Sequence, residues 1–68
     1  MASIVLNLYR YNGELVRRAE GTLTVESAKQ LVWQYLGDVN HRTILTATVH
    51  SQGITVETSL SRYIVRAS

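Results

Sequence analysis

Apolar and polar positions alternate with a period of two from Ser3 to Tyr11. The alternation predicts a strand with Ile4, Leu6 and Leu8 on one face and Val5, Asn7, Tyr9 and Tyr11 on the other. Asn12-Gly13 follows, and both residues accept the positive φ of a two-residue type I′ hairpin loop. That loop pairs Tyr11 with Glu14, Tyr9 with Val16 and Asn7 with Arg18, and it puts Leu15, Arg17 and Ala19 on the Ile4 face. An arginine on an apolar face requires one of two things. Either Arg17 lies at the sheet edge and snorkels out, or a bulge shifts the parity. Gly21 ends this second strand.

The period then changes to that of a helix. Val25, Ala28, Leu31, Val32, Tyr35 and Leu36 form one apolar stripe over Thr24 to Leu36. Thr24 is suited to N-cap the helix, Glu26 sits where the helix dipole favours an anion, and Gly37 is suited to close it. Asp38 to Arg42 reads as a polar connection. From Thr43 the period returns to two, with Leu45, Ala47 and Val49 inward and Ile44, Thr46, Thr48 and His50 outward. Gln52-Gly53 reads as a tight turn that aligns Val49 with Val56, Ala47 with Thr58 and Leu45 with Leu60. The β-like tail Ser61 to Arg66 is expected to continue the fourth strand past a bulge.

The resulting expectation is one α+β domain over 1–68, a small ββαββ unit. Its four-stranded, mostly antiparallel sheet carries one helix on one face. A helical crossover between two hairpins favours first and last strands that are central and parallel. In layout this resembles the immunoglobulin-binding domains of bacterial surface proteins and other grasp-like modules. A shared layout carries no function with it.

The composition supports folding, with 46% hydrophobic and 18% charged residues. At 68 residues the domain is near the lower limit for folding unaided. Without cysteine it has neither disulfide nor thiolate metal site, so self-association is the remaining way to bury more area. A homodimer is therefore kept open. No apolar run is long enough for a transmembrane helix, and Met-Ala-Ser-Ile is not followed by a signal-like segment, so a cytoplasmic protein with no membrane partner is expected. Seven basic residues, all arginine except Lys29, stand against five acids. That excess is too small to decide for nucleic acid, and it argues against a carboxylate-rich mimic of DNA.

Chemistry-bearing residues are few. Trp33, the single tryptophan, lies off the apolar stripe beside Glu26, Lys29 and Gln30. It reads as a binding anchor, or as a ring folded over the helix edge to cover the end of the sheet. The face of the sheet away from the helix should carry Val5, Tyr9, Tyr11, Val16, Arg18, Ile44, Thr46 and Thr48. Tyrosine interleaved with arginine suits a protein contact or stacking on unpaired bases, and it equally suits ordinary cross-strand pairing. Arg10, Arg17, Arg18, Arg62 and Arg66 form one basic stripe if the first and last strands adjoin. Asp38, His41 and His50 have no close metal-ligand spacing, and no nucleophile–base set or phosphate loop stands out, so no cofactor and no catalysis are expected.

These features point to a small non-enzymatic module that binds a larger protein or ribonucleoprotein complex as an inhibitor or adaptor. In size and layout it resembles compact phage- or plasmid-encoded anti-defence inhibitors, anti-CRISPR proteins among them. The candidate contacts are Glu26, Lys29, Gln30 and Trp33 on the helix and Tyr9, Arg10, Tyr11, Arg18 and Arg62 on the sheet. The alternatives are a single-stranded nucleic-acid binder using the Tyr/Arg face and a homodimeric structural module.

Overall fold

The computed structural model describes residues 4–67. Its elements are β1 (Ile4–Arg10), β2 (Leu15–Gly21), α1 (Val25–Leu36), β3 (Ile44–His50), β4 (Gly53–Thr58) and β5 (Arg62–Ala67). Ser3, the first residue of the expected first strand, lies outside the described residues. The strands form a single sheet in the order β2-β1-β5-β4-β3, with every neighbouring pair antiparallel. The helix packs on one face.

The expected helix is present. Thr24 caps it, its hydroxyl accepting from the Ser27 amide while the Ser27 hydroxyl accepts from the Thr24 amide. Gly37 closes it, and the Asp38 amide reaches back to the Trp33 carbonyl. Ala28, Leu31 and Val32 are buried against Leu6, Leu8, Ile54, Val56, Tyr63 and Val65. Val25, Tyr35 and Leu36 flank this core and are half-buried.

The topology departs from the expected four strands with a parallel central pair. Arg62–Ala67 is a separate fifth strand inserted between β1 and β4, not a continuation of the fourth. First and last strands are still neighbours near the sheet's centre. The added reversal turns the last one round, so they run antiparallel. The turn that makes the reversal contains no Gly, Pro or Asn. Thr58 holds it instead: its Oγ1 accepts from the amides of Leu60 (3.2 Å) and Ser61 (2.9 Å) and donates to the Ser61 carbonyl (2.7 Å). Leu60, expected inward opposite Leu45, is left exposed on this turn.

Local register also differs in three places. At the first hairpin, the Gly13 amide bonds the Arg10 carbonyl and the Arg10 amide bonds the Glu14 carbonyl. The loop therefore has three residues, Tyr11 to Gly13, with Gly13 at φ 91 in place of the type I′ pair. A bulge at Val16 then restores the expected Asn7–Arg18 pairing. It also swaps faces. Val16 packs on the core, while Leu15 lies opposite Tyr9 on the open face. A second bulge, at Leu45, swaps the next pair: Ile44 packs on the core and Leu45 is exposed. The β3–β4 loop is Ser51-Gln52, so Val49 pairs with Ile54 and Ala47 with Val56. This is a slide of two residues, which keeps the faces unchanged.

Gly53 is released from the turn and opens β4, where β5 passes so close that a Cβ would run into the Val65 carbonyl oxygen. Its φ of 142 excludes other residues as well. We predict that Gly53→Ala lowers stability by more than about 2 kcal/mol in urea unfolding, with backbone strain and the clash acting together. A loss within about 0.5 kcal/mol of zero would show that β5 does not approach so closely.

Candidate functional site

The segment between α1 and β3 is shaped by one carboxylate. Asp38 Oδ2 accepts from the Arg42 amide (2.7 Å), the Thr43 amide (2.8 Å) and the Thr43 hydroxyl (2.8 Å). The Thr43 amide bond has the largest effect in holding the Asp38 carboxyl below its ordinary range. Partial desolvation opposes it, and the Thr43 hydroxyl and the Arg42 and Asn40 amides add to it. The loop so drawn together puts His41 in the left-handed region, at φ 55. From there its ring lies flat on Trp33, with centroids 4.0 Å apart and planes within 4°.

Trp33 is consequently half-buried, covered by His41 on one side, and its indole Nε1 is buried with no hydrogen-bond partner. A groove of about 370 Å³ runs past this pair, lined by Arg17, Gln30, Trp33, Gln34, Asp38 and His41 among others. Both readings of Arg17 hold in part. The bulge occurs but is taken up by Val16, so Arg17 remains opposite Leu8 on the helix side and emerges at the sheet edge into this groove.

The sequence-derived candidates fall on separate surfaces. Glu26 and Gln30 are exposed and Lys29 half-buried on α1, and of these only Gln30 joins Trp33 in lining the groove. Tyr9, Arg18 and Arg62 lie on the open face of the sheet. Arg10 and Tyr11 sit at the β1–β2 hairpin, Arg10 near Glu14 at 3.6 Å and Tyr11 76% exposed. Arg62 faces Glu57 at 3.4 Å. Such exposed pairs contribute little. Among the described residues these are the ion pairs, which leaves Arg17, Arg18, Lys29, Arg42 and Arg66 without a carboxylate at salt-bridge distance. Val16 and Ile44, expected on the open face, are turned to the core by the two bulges.

Asp38 and His41 share the loop, whereas His50 bonds Thr55 (2.6 Å) on the open face, so the three do not converge. His41 was missed as a partner of Trp33. Its position depends on a loop fold that hydrophobic periodicity does not encode. Asp38 followed five residues later by a threonine was the available signal. Among the described residues no helix is long and apolar enough to cross a membrane. No family model matches the chain, and neither does any curated protein or solved structure.

A lowered carboxyl contributes stability above its ordinary value, near 3.8, and that contribution is lost as pH falls through the lowered one. We expect the Arg42 and Thr43 amide-proton shifts to titrate together with a midpoint below 3.8. Asp38→Asn should abolish that titration and weaken the ring-current shift of the His41 protons. A midpoint at or above the ordinary value would contradict this account of the loop.

Proposed function

We infer that the protein is a small non-enzymatic binding module that docks on a larger protein or ribonucleoprotein complex and occludes or adapts a site there. This is the manner of compact anti-defence inhibitors such as anti-CRISPR proteins. The observation that carries the reading is the Trp33–His41 stack, where two unfavourable local features coincide. His41 holds a left-handed backbone without being glycine. Trp33 Nε1 is buried without an acceptor, which costs about 1–3 kcal/mol. Arg17, itself exposed, emerges from the inner side of the sheet into the same groove and is free to meet a partner.

A chain this small has little stability to spare. Strain and unmet polar groups kept together on one exposed edge support a role there in recognition. Docking moves the His41 ring aside, opens the indole face and gives Nε1 an acceptor on the partner. Arg17 meets an acidic or planar group, and Gln30 and Gln34 complete the rim. An aromatic and an arginine in one groove are the residue types that dominate interface energies.

One observation favours a second reading. On the open face Arg18 and Arg66 flank Asn7 from both neighbouring strands, neither arginine has a carboxylate partner, and Tyr9 follows on the same face. That arrangement suits a phosphate backbone with a stacked base.

The test is capture from host-type lysate with nuclease present, followed by titration of the recovered partner. Trp33→Ala should weaken that complex by at least about fivefold, roughly 1 kcal/mol, with far-UV circular dichroism unchanged, whereas His41→Ala, which uncovers the indole face in advance, should leave the complex at least as tight. A partner held as tightly by Trp33→Ala as by the wild type overturns the Trp33 edge. Capture that disappears with nuclease, and oligonucleotide affinity that falls steeply with salt, moves the function to the open face.

A further inference from the structure

Two polar residues are buried among the described residues, Thr58 and Asn7. The Thr58 hydroxyl is fully used in its turn. Asn7 is 7% exposed, and its Oδ1 is buried and meets no donor. An unmet acceptor costs stability, and asparagine is disfavoured within strands. The fold alone gives no reason for it. Leu6 and Leu8 go to the core beneath α1, so Asn7, between them, belongs to the open face of the sheet. The described elements supply no second layer there.

The surroundings of Asn7 point to a ligand. It pairs with Arg18 of β2 on one side and with Arg66 of β5 on the other. Both arginines are exposed, and neither has a carboxylate at salt-bridge distance. Two strand spacings separate them, about 10 Å. Arg66 leans over Gly53 of β4, where a Cβ would lie 3.0 Å from the Arg66 Cγ. Two like charges thus bracket an unmet acceptor, and neither guanidinium donates to it. Tyr9, half-buried, follows on the same face.

These groups select different parts of one ligand. The guanidinium groups select anions, and a phosphodiester, which carries only acceptors, satisfies them while leaving Oδ1 unmet. Oδ1 selects an N–H or O–H donor. The aromatic ring beside them selects a planar group. A nucleotide supplies all three when its base is unpaired, because base pairing uses up the base N–H groups. We propose that the open face binds single-stranded nucleic acid: Arg18 and Arg66 hold backbone phosphates, a base stacks on Tyr9, and Asn7 Oδ1 accepts from that base. The proposal rests on the second reading of this face given above, and adds to it the base contact and the exclusion of duplexes. The two arginine side chains are long and exposed, and phosphates draw them clear of the carboxamide. Trp33 and His41 are on the helix side of the sheet. One molecule can therefore hold protein at that edge and a strand on this face, as a ribonucleoprotein partner would present them.

The test is fluorescence anisotropy of the intact chain with labelled oligonucleotides of about 12 nucleotides. The probes are a mixed-sequence single strand, its duplex, and a strand of the same length made of abasic sites. The single strand should bind with an affinity that falls steeply with salt, and the other two at least about fivefold more weakly. Asn7→Leu removes the unmet acceptor at similar size. It should bind the single strand at least about fivefold more weakly, bind the abasic strand as the wild type does, and unfold at no lower urea concentration. The abasic comparison uses the wild type alone, so it stands whatever that substitution does to the fold. No binding of any probe overturns the open-face reading and this proposal with it. Duplex or abasic strand bound as tightly as the single strand, or full affinity in Asn7→Leu, keeps the phosphate contacts and overturns the base contact. Displacement of the single strand by poly-glutamate at the same charge concentration shows a general anion surface and overturns the proposal as well.

Discussion

The β1–β2 and β3–β4 hairpins share no backbone pairing with each other, and β5 is the strand that joins them. It is bonded to β1 on one side and β4 on the other, and its Tyr63 and Val65 side chains go to the core beside Leu8, Ile54 and Val56. Everything else rests on that insertion. Without it α1 would lie over two separate hairpins, and isolated two-stranded hairpins are marginal in water. Two local devices make room for β5: the Thr58 hydroxyl, which ties the 58–61 turn, and the absence of a side chain at Gly53.

Much of this was legible from the chain. The helix, its Thr24 cap and its Gly37 end follow from spacing and residue type. So do the inner faces of β1 and β4, because a two-residue slide leaves faces unchanged. The fifth strand was hidden because its turn signal is a threonine side chain and not a Gly, Pro or Asn, and because Ser61 to Arg66 is β-like through Tyr63, Ile64 and Val65 and so reads as more of the preceding strand. Leu15/Val16 and Ile44/Leu45 were assigned to the wrong faces for one reason. Each pair straddles a bulge, and strict alternation cannot anticipate an inserted residue. Both bulges lie at the end of the sheet that carries the 10–14 and 58–61 turns.

The candidate site shows the same division. Trp33 was conspicuous because its position conflicts with the helix stripe. Its partner was not, because His41 arrives through a loop organised by Asp38 hydrogen bonds. Arg17 was conspicuous for the same kind of reason as Trp33, a charge at an inward position. The structure brings these two discordant residues to one groove. Discord with the local pattern was thus the most useful functional signal in the chain, whereas the scattered basic residues divide among the hairpin end, the open face and the groove.

The most direct test of the central role of β5 is amide hydrogen exchange on wild type and Thr58→Val, which keeps the shape of the side chain and removes its hydroxyl. If β5 holds the hairpins together, the amides of β1, β4 and β5 in the wild type exchange only through global unfolding, and in the variant they lose protection together and to the same extent. Loss of protection confined to β5, with β1–β2, β3–β4 and α1 still protected, would contradict the account.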